Sequence, residues 1–225
     1  TNTKTNGDTK DTKVTIGARK LLDILRSLPD QSKVNIELLG EKVVLKAGRS
    51  KFNLVSKPAS EFPVMSSEDG ELAGTITLDE KKLKHMLSLV QFAMAQQDIR
   101  YYLNGILMEI KSDKVVLVGT DGHRLATVET TLGDALVGKE SSLIIPRKAI
   151  IELGKLLSEG EQKVKISYYE KQVSFTFGDS QLVSKLVEGT YPDYSRVIPA
   201  GLSSNFTIDR LTLQQALQRA AILSN

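Results

Sequence analysis

Apolar positions along the chain follow a helical spacing first and a strand-like pattern directly afterwards. Spacings of three and four residues place Leu21, Ile24, Leu25 and Leu28 on one face of a predicted helix. Short runs rich in Val, Ile and Leu then predict three strands, with Gly40-Glu41 at the turn between the first two. These strands are Val34–Leu39, Val43–Ala47 and Lys51–Ser56.

The same order of elements returns after about 129 residues, which is a domain-sized period rather than a short repeat. Arg19, Asp23 and Arg26 match Lys148, Glu152 and Lys155 at this offset, and Phe62-Pro63 matches Tyr191-Pro192. The second helix has its apolar face at Ile150, Leu153, Gly154 and Leu157. The strands predicted after it are Val164–Tyr169, Val173–Phe177 and Leu182–Val187, with a turn at Glu170-Lys171.

A further helical unit lies between these two. Thr77 and Glu80 have the spacing of a capping box, in which each side chain satisfies a free backbone donor at the start of a helix. The buried stripe predicted for this helix is Leu83, Met86, Leu87 and Val90, and its strands are Leu103–Ile110, Val115–Gly119 and Arg124–Thr130. Thr207-Ile208-Asp209 begins a similar helix, with a stripe at Leu213, Ala216, Leu217 and Ala220.

The pattern predicts an α+β fold made of repeated βαβββ units. One helix for every four strands leaves one sheet face to be covered by helices, so neighbouring units are expected to share or stack antiparallel sheets. Free sheet edges invite association, and closure of the array would remove them.

Composition narrows the chemistry that this fold can perform. The chain has 225 residues, no cysteine and a net charge of +3. Disulfides, thiolate nucleophiles and Cys-ligated metals are therefore excluded within it. The chain has no phosphate-binding Gly-rich loop, no nucleophile elbow and no apolar run of membrane-spanning length, and its two histidines lack a metal-ligand spacing. We expect no cofactor and no metal.

Basic residues lie opposite the apolar stripes of all four predicted helices. A solvated helix surface accounts for them, and so does a set of helices that face one polyanion. The repeated basic–acidic–basic triplet favours the second interpretation. These residues are Arg19, Lys20, Arg26, Lys81, Lys82, Lys84, His85, Arg147, Lys148, Lys155, Arg210 and Arg219.

The segment Gln97–Tyr102 carries an arginine and two adjacent tyrosines after the middle helix. Such a loop can contact phosphates and stack on exposed bases. The alternative is that Tyr101 and Tyr102 open a strand, in which case one of the two rings points into the core.

The sequence Asp121-Gly122-His123-Arg124 is the one arrangement that resembles catalytic chemistry. His123 could act as a base oriented by Asp121. However, Asp-Gly between two strands is a common turn, and no nucleophile motif lies nearby. We therefore favour a turn that presents a ring and a guanidinium group beside a pocket.

Several motifs resemble the bacterial DNA polymerase III beta subunit, the sliding clamp family. The resemblance runs from about Ile16 to Asn225, in collinear order. The motifs are Gln91–Gly105, Thr120–Ala126, Tyr191–Tyr194, Glu61–Pro63, Pro146–Lys148 and Ala220–Asn225.

The resemblance implies a head-to-tail homodimeric ring of three-domain subunits, with sheets outside and helices lining a surface that faces duplex DNA. Such a clamp has no catalytic activity of its own and serves as an accessory subunit of a DNA-directed DNA polymerase, a nucleotidyltransferase holoenzyme. It tethers the replicative polymerase alpha subunit. The clamp loader, repair polymerases, ligase and mismatch-repair proteins also dock through a short linear motif. The implied location is the bacterial cytoplasm, in association with the nucleoid and not with a membrane.

The resemblance also implies how the chain is divided. Residues 1–66 would be the C-terminal part of a first clamp domain, 67–200 a complete second domain and 201–225 the start of a third. We therefore expect the chain to be an internal segment of a longer protein.

Site residues are implied by the same resemblance. The partner-peptide pocket, shared with the third domain, would use Leu103, Thr120, Gly122, His123, Arg124, Leu125, Pro192, Arg196 and Val197, bordered by Arg100 and Tyr102. DNA contacts would come from Arg19, Arg49, Lys51, Gln97, Tyr101, Tyr102 and Lys148. Gln96 stands where the family commonly has His, and Ser195 stands where a basic residue is common. The alternatives are a module that grips DNA without encircling it and a hydrolase that uses Asp121 and His123.

Overall fold

The computed structural model describes residues 13–63, 70–134, 136–199 and 201–223. The chain forms two compact units, Thr1–Ser67 and Glu68–Asn225. The predicted domain boundaries fall at residues 66/67 and 200, outside the described residues. No helix in the described part of the chain is long and apolar enough to cross a membrane.

Within its described residues, the first unit contains one α-helix and one antiparallel sheet. Its elements are β1 (Val14–Ile16), α1 (Ala18–Ser27), β2 (Asn35–Leu39), β3 (Lys42–Ala47) and β4 (Ser50–Pro58), in the sheet order β1-β4-β3-β2. The three strands predicted after the helix are therefore confirmed, and Gly40 turns between β2 and β3 with a φ of 60°.

The predicted apolar face of α1 is only partly buried. Leu21 and Ile24 pack against the sheet residues Val43, Leu45 and Leu54. Leu25 remains 43% exposed, which contradicts its place on a buried face. A ten-residue helix on a four-stranded sheet covers a narrow strip, and no described residue of this unit buries Leu25.

The second unit contains two antiparallel sheets and two packed helices. One sheet has four strands in the order β10-β6-β7-β8, and the other has five in the order β13-β12-β11-β5-β9. The elements in chain order are β5 (Leu72–Asp79), α2 (Glu80–Val90), β6 (Gly105–Ile110), β7 (Lys114–Thr120), β8 (Leu125–Thr131), β9 (Val137–Gly138), β10 (Ser141–Pro146), α3 (Arg147–Leu156), β11 (Lys163–Tyr169), β12 (Gln172–Phe177) and β13 (Ser180–Lys185).

The two βαβββ halves of this unit exchange their first strands. Strand β5 pairs with β11 of the second half, and β10 pairs with β6 of the first half. Each sheet therefore contains strands from both halves, which explains why neither half closes a core by itself. The predicted α+β fold with repeated βαβββ units and antiparallel sheets is confirmed.

The main core lies between the helices and the two sheets. The predicted stripe of α2 is buried throughout, and α3 buries Ile150 and Leu153 against the same cluster. The stripe of α2 is Leu83, Met86, Leu87 and Val90. Helix α2 packs on strands of both sheets and on α3, so the helices fix the arrangement of the two halves.

The predicted capping box is wrong. Thr77 lies inside β5, where it pairs with Lys165, and the helix begins only after Asp79. The carboxylate of Glu80 instead accepts a hydrogen bond from the Ser158 backbone nitrogen at 2.6 Å, and the side chain is buried. Glu80 therefore joins the start of α2 to the segment after α3, a contact between distant residues that local spacing does not reveal.

The helix at the end of the described chain is α4 (Arg210–Ala221). Asp209 caps its start, and the Asp209 side chain accepts a hydrogen bond from the Thr212 backbone nitrogen at 2.8 Å. The helix is thus confirmed, but its predicted apolar stripe is exposed, including Leu213 and Leu217. No residue in the described part of the chain buries this stripe.

The four-stranded sheet also buries its outer face. Strand residues alternate sides, so Ile106 and Met108 point to the main core while Leu107 points away from it. The outer cluster contains Ala95, Leu103, Leu107, Val116, Val118, Ile144 and Tyr191. A segment that follows β13 covers this face, beginning where the Val187 backbone nitrogen donates to the Ile144 carbonyl at 2.8 Å.

Candidate functional site

The turn between β7 and β8, Asp121–Arg124, is held by its own first side chain. One carboxylate oxygen of Asp121 accepts hydrogen bonds from the backbone nitrogens of His123 and Arg124, at 2.9 and 3.0 Å. The other accepts from Arg124 Nε at 3.0 Å. The two backbone donors and the Arg124 guanidinium lower the pKa of Asp121, so the carboxylate stays ionised and fixes the turn.

Thr120 closes the same turn from below. Its hydroxyl donates to the Arg124 carbonyl at 2.7 Å and accepts from the Gly122 backbone nitrogen at 3.1 Å. Gly122 has a φ of 88°, a conformation that glycine adopts without strain. The predicted Asp-Gly turn is confirmed, and His123 is exposed at its tip.

This geometry does not support the hydrolase alternative. A catalytic pair requires Asp121 to bind the imidazole ring of His123, whereas Asp121 binds the His123 backbone and the Arg124 side chain. Among the described residues, no group of three or more His, Asp or Glu side chains is arranged to hold a metal ion.

The loop Gln97–Asn104 forms a second ordered segment beside the turn. The Asp98 backbone nitrogen donates to Asn104 Oδ1 at 3.0 Å, and Asn104 Nδ2 donates to the Asp98 carbonyl at 2.9 Å. Arg100 donates to the Asp98 carboxylate from its backbone nitrogen, Nε and Nη2, at 2.8, 3.0 and 2.8 Å. These bonds, chiefly those from the Arg100 side chain, lower the pKa of Asp98 to about 2.

Arg100 also reaches from this loop to the turn. Its Nη2 donates to the Asp121 carbonyl at 3.2 Å. The guanidinium group lies so close to Gly122 that a Cβ at that position would be 3.0 Å from Nη1. The structure therefore brings the predicted pocket residues Arg100, Gly122 and His123 into one surface.

Leu103 lies beneath this surface. The prediction that a strand begins at Leu103 is wrong, because residues 101–103 form a turn of 3₁₀ helix and the strand begins at Gly105. The side chain is only 1% exposed and belongs to the outer cluster with Val118. Tyr102 and Leu125 are half-buried and pack against that cluster. In the described chain, Leu103 thus forms the buried base of this surface.

The remaining pocket candidates lie on the segment after β13. Tyr191 is buried in the outer cluster, and burial raises its pKa to about 12. Pro192 follows it and lines a cleft of about 370 Å³ that also includes Leu107 and Ile144. Arg196 Nε pairs with Asp193 at 2.8 Å, and Val197 is exposed. Ser195, the unusual residue, hydrogen-bonds Asp193 at 2.6 Å.

The candidate DNA contacts are divided between the two units. Arg19, Arg49 and Lys51 are exposed in the first unit. In the second unit, Gln97, Tyr101 and Lys148 are exposed, and the Tyr102 ring meets that of Tyr101 edge-on, with centroids 6.0 Å apart. The alternative in which these tyrosines open a strand is wrong, because they belong to the 3₁₀ turn.

A cleft that the sequence did not predict lies between the loop and the turn, with a volume of about 420 Å³. The Arg124 guanidinium lies over the Phe92 ring, 5.7 Å from its centroid. Arg147 is half-buried and donates to the Met94 carbonyl at 3.4 Å, so it is not a purely solvated charge. The spacing of residues around Phe92 did not predict its contact with Arg124, because the two residues lie far apart in the sequence.

The comparisons with known proteins identify the family directly. The model of the DNA polymerase III beta subunit central domain matches residues 77–193, and the model of the N-terminal domain of that subunit matches residues 1–66. The chain is 42% identical over 214 residues to the beta sliding clamp of Pseudomonas putida. It is 39% identical over 211 residues to the beta sliding clamp of Escherichia coli K12.

Solved structures agree with the sequence comparison. The crystal structure of the DNA polymerase III subunit beta from Pseudomonas aeruginosa matches 98% of this chain with a TM-score of 0.85 and 38% identity, and 59% of that chain is covered. A clamp from the same species bound to griselimycin matches 94% of this chain with a TM-score of 0.83 and 39% identity, and 57% of it is covered. The two curated relatives are each matched over 94% of this chain but only 57% of their own length. The resemblance read from the motifs is thereby confirmed, and the chain belongs to the DNA polymerase III beta subunit family, the beta sliding clamps.

Proposed function

We propose that the whole protein is a sliding clamp that encircles duplex DNA and confers processivity in chromosomal replication. The observation that carries this proposal is the collinear match of two successive clamp domain models over residues 1–66 and 77–193. A ring holds DNA by topology, so each contact needs little energy and the clamp can slide. The clamp itself performs no catalysis and acts as an accessory subunit of the DNA polymerase.

The division into domains is part of the same proposal. Residues 1–66 form the C-terminal part of the first clamp domain, 67–200 the complete second domain and 201–225 the start of the third. The exposed stripe of α4 supports this division, because an amphipathic helix requires an apolar partner. The protein acts as a homodimeric ring in the bacterial cytoplasm, at the nucleoid.

Partner proteins dock through a short linear motif at the surface that contains the Asp121–Arg124 turn. An apolar floor at Leu103 and Leu125 can receive a Leu or Phe side chain, while exposed polar groups of the turn fix the orientation of the peptide. Residues of the third domain complete the pocket. The partners are the replicative polymerase alpha subunit, clamp loader, repair polymerases, ligase and mismatch-repair proteins.

DNA is contacted without sequence readout. Arg19, Arg49, Lys51 and Lys148 supply exposed cationic groups, and Gln97, Tyr101 and Tyr102 supply a polar and aromatic loop. Cationic side chains lower the free energy of holding phosphates near the protein surface. The contact weakens as the salt concentration rises, because the counterions that binding releases from DNA then gain less free energy. This arrangement suits a clamp, which must hold DNA and still move along it.

The release of DNA from a ring tests the encircling function. The whole protein is loaded by its clamp loader onto a nicked circular plasmid and separated from free protein by gel filtration. We expect it to stay with the circle and to leave within minutes after a restriction enzyme linearises the plasmid, because a ring slides off free ends. Retention on linear DNA would contradict the ring and support a module that grips DNA openly.

Replacement of His123 tests the docking surface. We expect His123→Ala to weaken binding of a fluorescent peptide carrying Leu and Phe anchors by about fivefold, because an exposed group at the tip of the turn is lost. Fluorescence anisotropy measures the affinity. His85→Ala removes the other histidine, exposed on α2, and serves as the matched control. Equal affinities for the two variants would exclude His123 from the pocket.

A further inference from the structure

The Gln97–Asn104 loop is held by internal hydrogen bonds although much of its surface is exposed. Paired hydrogen bonds between Asp98 and Asn104 close the loop at its two ends. Gln97 is exposed and Ile99 is 95% exposed, so neither residue is held by burial. The first part of the loop is therefore held by the polar contacts of Asp98, whereas Leu103 in its second part is buried in the outer cluster.

Three nitrogen atoms of Arg100 donate hydrogen bonds within the protein. Its backbone nitrogen and Nε bind one Asp98 oxygen, and Nη2 binds the other oxygen and the Asp121 carbonyl. A guanidinium held by a carboxylate in this forked manner has a fixed direction. Asp98 thus aims Arg100 at the turn, where the guanidinium group lies beside Gly122.

The two segments that Arg100 joins carry residues for different proposed ligands. Gln97 and Tyr101 on the loop are assigned to nucleic acid. His123 on the turn is assigned to partner peptides, as are Arg100, Tyr102 and Leu103 in the second part of the loop. A rigid connection between two binding segments transmits a displacement of one to the other, provided that the ligands favour different positions of the connection.

We propose that Asp98, as a positioning residue, and the pocket residue Arg100 form a strut that couples nucleic-acid binding on the loop to peptide binding on the turn. This inference rests on the proposed function, since it requires both ligands. Asp98 is not among the residues assigned to contact either ligand. Its removal therefore frees Arg100 and the loop without deleting a side chain assigned to either ligand. Coupling of this kind is reciprocal, so each ligand changes the affinity of the other by the same factor.

The coupling is measured with the whole protein, a fluorescent peptide carrying Leu and Phe anchors, and a short primed DNA that presents a single-stranded end. The peptide dissociation constant is determined by anisotropy with and without saturating DNA. We expect DNA to change this constant about fivefold in the unaltered protein. In Asp98→Ala the ratio should fall to about one, while both ligands still bind.

Glu129→Ala is the matched control, because it removes an exposed ion pair with Lys114, 2.8 Å long, that does not reach the turn. It should keep the fivefold ratio. Asp98→Asn preserves the shape of the side chain and should also lose the coupling. Thermal unfolding establishes that each variant is folded.

The outcomes separate this inference from the proposed function. A ratio that persists in both Asp98 variants overturns the strut, since it shows direct competition or another route. A ratio of one in the unaltered protein also overturns it. Failure of the unaltered protein to bind the peptide at all would instead refute the docking function on which the strut depends.

Discussion

Leu103→Ala is expected to lower the free energy of unfolding of the second unit by about 2–5 kcal/mol and to weaken peptide binding at least tenfold. The side chain is 1% exposed and packs in the outer cluster with Val118. Truncation leaves a cavity beneath Tyr102 and Leu125, which pack on that cluster. The proposed apolar floor then lacks support where a peptide side chain would press on it.

A buried leucine elsewhere separates stability from docking. Leu87→Ala removes a side chain that is 1% exposed in the main core. We therefore expect urea denaturation to show a similar loss in the free energy of unfolding. Helix α2 supplies Leu87, and the outer cluster is on the other face of the four-stranded sheet. Peptide affinity should therefore stay close to that of the unaltered protein at a temperature where both variants are folded. An equal loss of affinity in both would show that Leu103 acts only through global stability.

The regular elements of this fold could be predicted because their signals are local. The helical spacing of Leu83, Met86, Leu87 and Val90 survives in the structure as a buried stripe. Strands after each helix were predicted to within a few residues, since alternating and β-branched runs are bounded by turn residues such as Gly40. The family could also be read from motifs, because they stand in one collinear order.

Contacts between distant residues were not predictable in this way. The spacing of Thr77 and Glu80 imitates a capping box, yet pairing of β5 with β11 takes Thr77 into a sheet. The Ser158 backbone nitrogen then becomes the partner of Glu80. Strand exchange between the two halves decides both contacts, and no local pattern of a single half encodes it.

In the candidate site, too, local contacts could be predicted from the sequence and contacts between distant residues could not. The Asp121–Arg124 turn follows from Asp-Gly between two strands, and its hydrogen bonds are local. A local signal for Asp98 also existed, because Asp often accepts hydrogen bonds from backbone two residues later. The bond from Arg100 to the Asp121 carbonyl spans the two segments and required the structure. The connection between the loop and the turn therefore depends on the tertiary structure.

Gly122→Ala is expected to reduce peptide affinity about tenfold and the free energy of unfolding by about 1–2 kcal/mol. Gly122 has a φ of 88°, which a side chain makes unfavourable. The added Cβ would also lie 3.0 Å from Arg100 Nη1, so the guanidinium group must shift. Because Asp98 holds that group with two side-chain hydrogen bonds, the shift strains the loop as well as the turn.

Gly40→Ala provides the control for backbone strain alone. Gly40 has a φ of 60°, and a Cβ there would meet no atom within 4 Å. We expect a similar loss of stability in denaturant titrations and an unchanged peptide dissociation constant.

Combining Gly122→Ala with Asp98→Ala then tests the cause of the affinity loss. If Arg100 carries the effect, the double variant should bind the peptide no more weakly than Gly122→Ala, because the guanidinium is already displaced. Additive losses would mean that the turn itself, and not its connection to the loop, determines the effect of the new methyl group.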